Sequence, residues 1–161
     1  MNHFKQKNGY GCGLFAIANA LNKESIIKQE RLDESIDGNH IGQLNKWLKE
    51  DGFELFIEPL YFSCTGKRLP KSICELRPHG EEVIGLPVLI DVQHTKNSQM
   101  HLVTADIMPN GQLLVIDSLK DEHELTTLME YQKQFYRVFG LHHFRHYTEK
   151  GYFMRFRPSK Q

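Results

Sequence analysis

Apolar positions along this chain follow two rhythms. From Cys12 to Leu21 it reads CGLFAIANAL, with Leu14, Phe15, Ile17, Ala18 and Leu21 apolar and only Asn19 clearly polar. Such a run predicts a helix buried nearly all round. A second helical stretch is expected over 23–33. A third is expected from His40 to Asp51, where Ile41, Leu44, Trp47 and Leu48 recur at helical spacing and Gly52 supplies a stop. Beyond it the rhythm shortens. Residues 53–62, FELFIEPLYF, are aromatic and β-branched, with Pro59 marking an edge or a bulge. A turn-rich surface connection with Pro70 and Pro78 follows over 63–85. Strands are then expected at 86–93, 101–107 and 112–118, the last two joined through Asn110-Gly111, a strong hairpin signal. A helix over 122–139 and a closing strand at 151–157 complete the prediction. Helices first and antiparallel strands later make an α+β domain.

Length and charge narrow the picture. The 161 residues contain no internal repeat, low-complexity tract or linker, so one domain spanning 1–161 is expected. Twenty lysines and arginines balance twenty aspartates and glutamates, which removes any global case for nucleic acid or an anionic membrane surface. A locally basic tail (Lys133, Arg137, Arg145, Lys150, Arg155, Arg157, Lys160) reads as solvated surface. The first residues carry no apolar signal-peptide core, and no run of about 18 apolar residues occurs. Three cysteines at irregular spacing argue against a disulfide framework. These features together set the expectation of a cytoplasmic protein, with signal-independent export left open.

The stretch QKNGYGCGLFAIANAL holds the first chemical candidate. Cys12 opens a helix, where free backbone N–H groups and the helix dipole favour the nucleophilic thiolate. Gly9, Gly11 and Gly13 surround it and clear an approach to the backbone, leaving the Cys12 N–H to face a developing oxyanion. Taken alone, a free cysteine is more often a small buried hydrophobe. Its partners alter that balance. His101 opens the apolar strand HLVTADI, a rigid mount with one side open, and Asp117 closes the strand after the hairpin. Residues whose numbers sum to about 221 face each other in such a hairpin, which brings His101 and Asp117 to the same open end of the ladder. Asp106 is a rival acid, but its odd offset from His101 points it to the other face. Gln6, six positions before Cys12, supplies an amide able to donate to the same oxyanion.

Gln6, Cys12, His101 and Asp117, in that chain order, resemble the papain-like cysteine peptidase superfamily. Three branches are similar. Double-glycine leader peptidases of bacteriocin exporters place a glutamine six residues before a Cys-Gly. Josephin-type deubiquitinases share the early cysteine and an Asx-Ser-Leu like the IDSL here. Ubiquitin-like-protein proteases share the wording Q…CGLFAIA, in a permuted order. The resemblance covers residues 6–21 and about 87–118, and departs from two branches in having Gly11 where an aspartate is common. It implies a papain-like fold, with a helix bearing Cys12 packed on a small antiparallel sheet bearing His101 and Asp117. It further implies a thiol hydrolase of peptide or isopeptide bonds that needs no cofactor. Protein or peptide substrates are expected, with ubiquitin-like or Gly-Gly-ended tails as candidates, and neither nucleic acid nor membrane. A glutamine deamidase or acyltransferase on the same fold, and a catalytically silent peptide- or protein-binding domain, are the alternatives. No metal is expected: Cys64, Cys74 and His79 lack a Cys-x2-Cys pair. His142 and His146 of HHFRH stand at helical spacing without the glutamate of a metalloprotease motif.

Overall fold

The computed structural model describes residues 3–65, 68–70 and 87–146. Its centre is a six-stranded, wholly antiparallel sheet in the order β1-β6-β2-β3-β4-β5. The strands are β1 (Leu55–Phe62), β2 (Val88–Gln93), β3 (Met100–Ile107), β4 (Leu113–Ile116), β5 (Glu124–Thr126) and β6 (Arg137–His146). Four helices accompany them: α1 (Cys12–Leu21), α2 (Gln29–Asp33), α3 (Ile41–Glu50) and α4 (Leu128–Gln132). The chain is therefore α+β. Among the described residues no helix is long and apolar enough to cross a membrane.

Two apolar layers explain the pattern of the strands. On one face Leu14, Ile17, Leu44, Leu48, Ile57, Leu89, Leu102 and Phe144 join α1 and α3 to the sheet. On the other, Val88, Ile90, Val92, Val103, Val115 and Leu141 pack with Leu128 and Tyr131 of α4. β2 is apolar on both sides because it lies inside the sheet and is covered twice. The one polar residue of α1 also has its reason. Asn19 is fully buried and bonds both backbone groups of Phe4, tying the N-terminal segment along the helix.

Several expectations hold and others need correction. α1 and α3 fall where the periodicity places them, and Gly111 turns the β3–β4 hairpin with φ +87°. The register pairs Ile107 with Leu113 and Thr104 with Ile116, one residue from the expected pairing. The helical stretch expected over 23–33 breaks into a 3-10 turn at Glu24–Ile26 and the short α2, because Ile27 and Lys28 are extended.

The helix expected over 122–139 is absent. Glu124–Thr126 pairs with β4, Thr127 caps the five-residue α4 by accepting from the Glu130 N–H, and β6 follows. Leu128, Tyr131 and Phe135 are at helical spacing, yet the β-branched and aromatic residues around them gain more by pairing. β6 occupies the place between β1 and β2, with Gly140 admitting the Phe62 ring where a Cβ would sit 3.0 Å from it. HHFRH thus lies on a strand, where residues four apart are separated by roughly 13 Å, too far for His142 and His146 to share a metal. The strand expected at 151–157, with Cys74 and His79, lies outside the described residues.

Candidate active site

Cys12 stands at the N-terminal end of α1. Gly11 precedes it in the left-handed conformation (φ +89°), which turns the chain sharply into the helix, and no side chain caps the first turn. The early N–H groups, that of Cys12 included, therefore face outward uncapped by a side chain. Gly13 permits a close approach from a different loop: a Cβ there would stand 2.9 Å from Asn39 Oδ1. Among the described residues Gly9 has no neighbour that requires its small size.

α1 crosses the sheet so that this end meets the start of β3. The Leu102 N–H donates to Cys12 Sγ at 3.5 Å, and the adjacent residue is His101. On one side the His101 ring faces the Cys12 side chain, which helps to raise the imidazole. On the other, its Nε2 lies 2.7 Å from Asp117 Oδ1. With Nε2 committed to Asp117, Nδ1 is the nitrogen left for sulfur. Asp117 is fixed in turn by the Leu119 N–H, which donates to Oδ1 at 3.0 Å. Both His101 and Asp117 are buried, so each depends on the other.

Electrostatics follow from that geometry. Burial opposes a charged His101 ring, but the hydrogen bonds to Asp117 and Cys12, with their charges, outweigh it and raise the imidazole to about 9. Burial likewise opposes the Asp117 carboxylate, and the bond to His101 outweighs it, leaving the carboxyl below its ordinary range. The favoured state is an imidazolium paired with the Asp117 carboxylate. Asp106, the rival acid, pairs with Leu114 further along the hairpin and takes no part.

Gln6 reaches the same end of the sheet. Its N–H donates to the Ser118 carbonyl at 2.8 Å. Its side-chain oxygen accepts from Ser118 Oγ at 2.7 Å, and Nε2 donates to the Tyr10 carbonyl at 2.9 Å. The serine decides which end of the amide is which: oxygen is spent on the hydroxyl, so nitrogen points the other way with one N–H left over. Removing that hydroxyl should matter. If this site catalyses a reaction through Cys12, Ser118→Ala is expected to lower kcat about tenfold, the size of losing a positioned hydrogen bond, with KM little changed. Ser118→Thr should recover most of the loss in the same steady-state assay, and a KM effect without a kcat effect would refute the role.

No family model and no curated protein matches this chain. The assembled residues must therefore speak through their geometry. All four sequence candidates, Gln6, Cys12, His101 and Asp117, lie at one end of the sheet, with His101 hydrogen-bonded to Asp117 and Cys12 bonded to the N–H of the adjacent Leu102. Two further groups escaped the sequence reading. The Leu102 N–H carried no signal at all, since any residue supplies one. Ser118 was visible as a neighbour of Asp117, but its service to a glutamine 112 positions away was not.

Proposed function

We propose that the protein is a papain-like cysteine peptidase, a thiol hydrolase that cleaves a peptide or isopeptide bond in a protein or peptide substrate. The observation that carries this reading is the chain Cys12–His101–Asp117, closed at the uncapped start of a helix. A cysteine nucleophile needs a base beside it and a third group to orient the base, and each role has one occupant.

In the reaction, Cys12 Sγ gives an electron pair to the scissile carbonyl carbon, and the carbonyl π pair moves to oxygen. The Cys12 N–H and the spare N–H of Gln6 receive that oxyanion. Collapse of the intermediate expels the amine, which takes a proton from His101, and leaves a thioester. Water then adds to the thioester while His101 takes its proton. The acid departs and the sulfur returns as thiolate, so the enzyme closes its cycle with one bond hydrolysed and no cofactor consumed. Ubiquitin-like or Gly-Gly-ended tails are the substrates suggested by the resemblance.

The test is selective alkylation. Near neutral pH, iodoacetamide should label Cys12 at least about tenfold faster than Cys64 or Cys74. Cys64 is exposed and Cys12 only partly so, which makes any advantage of Cys12 chemical rather than steric. Equal labelling of the three thiols, read by peptide mass spectrometry, would overturn the proposal.

A further inference from the structure

The cleft beside Cys12 has a chemistry of its own. It encloses about 340 Å³, room for one side chain. Ile41, Met100 and Leu102 give it apolar walls, Asp37 and Asp91 bring two carboxylates, and His40 is the one basic side chain among the described residues that line it. Asp91 is the informative residue. It follows Leu89 by two positions on β2 and so shares the sheet face covered by α1, where an apolar residue would pack more cheaply.

The chain instead devotes a fully buried histidine to it. His142 Nε2 lies 2.8 Å from Asp91 Oδ2, while its Nδ1 is buried with no hydrogen-bond partner. A ring proton on Nδ1 would have no acceptor, so the proton sits on Nε2 and is donated to Asp91. The buried ring thereby fixes the orientation of the Asp91 carboxyl group. Among the described residues no lysine or arginine pairs with Asp91 or Asp37. Two carboxyl groups beside a nucleophile, one of them oriented by a buried histidine, with Ile41, Met100 and Leu102 along the same cleft, suit a long aliphatic side chain with a cationic tip.

Resting on the thiol-hydrolase reading, we infer that this cleft takes a lysine or arginine side chain next to the scissile carbonyl. The methylenes lie against Ile41, Met100 and Leu102, and the cationic head meets Asp91 and Asp37. A glycine at that position would leave the cleft empty, so this specificity differs from that of a Gly-Gly tail.

Peptidyl acyloxymethyl ketones that differ only in the residue next to the warhead test it. Cys12 modification is followed by mass spectrometry, and each rate is divided by the same protein's iodoacetamide rate. Arginine and lysine probes should react at least about tenfold faster than norleucine or glycine probes, with glutamate slowest. In Asp91→Asn, which keeps an oxygen for His142, the preference should shrink to about threefold or less, and Asp37→Asn, in an exposed loop, should weaken it in part. Equal rates for arginine, norleucine and glycine in the native protein would overturn the inference, as would a preference that survives both substitutions. If iodoacetamide fails to single out Cys12, the hydrolase reading itself falls, which is a separate result.

Discussion

If the protein is the thiol hydrolase proposed, Cys12→Ala will abolish turnover while leaving the fold intact. Removing the nucleophile of a catalytic triad costs on the order of 10³-fold or more in kcat, and what remains comes from binding and oxyanion contacts. The loss in stability should be small. The side chain is only partly buried, alanine suits a first helical turn, and the bond removed is the long one from the Leu102 N–H. The variant should therefore melt close to the native protein and still bind substrate. Hydrolysis of a peptide found to be cleaved by the native protein, measured beside thermal unfolding, checks both halves. Residual hydrolysis within tenfold of native would remove Cys12 from the mechanism.

His101→Ala should cost nearly as much, about 10³-fold in kcat, because in the proposed mechanism one residue both gives and takes the proton. It also produces a specific pH signature. The imidazole is raised from 6.5 to about 9, so the protonated ring that serves the leaving amine is lost as pH climbs through that value. Native kcat should fall on an alkaline limb near 9, and the limb should be missing from the variant's residual rate. Stability carries the same sign. A raised folded value contributes stability that is complete below 6.5 and disappears as pH rises toward and through about 9. Native protein should thus lose on the order of 5 °C in melting temperature across that window relative to His101→Ala. Asp117 works in the opposite sense: its carboxyl is held below 3.8, so its contribution is present above that value and lost as pH falls below it. Melting curves of native and variant that run parallel from pH 6 to 9.5 would contradict the ion-paired site.

The helix bearing Cys12 was legible because ten residues of apolar periodicity decide it locally. The His101–Asp117 pairing was legible because a hairpin centred on Asn110-Gly111 converts sequence distance into spatial register, even when the pairing is one residue off. The stretch 122–139 was misread for the complementary reason. Leu128, Tyr131 and Phe135 satisfy a helical template, but β6 wins by pairing with β1 and β2, partners that lie more than forty residues away. The HHFRH histidines lost their apparent helical spacing in the same way, and His142 gained Asp91 instead.

Pattern alone therefore specified an α+β chain, the two principal helices, the central strands and the four residues with the chemistry for a thiol site. Only the tertiary structure decided that α1 crosses the sheet so that Cys12 Sγ meets Leu102 and His101, that Ser118 orients Gln6, and that a carboxylate anchored by a buried histidine lines the adjoining cleft. The division has one physical cause. Periodicity and turn chemistry act over ten or twenty residues, whereas strand order and the layering of helices on a sheet depend on the sum of contacts made by the whole chain.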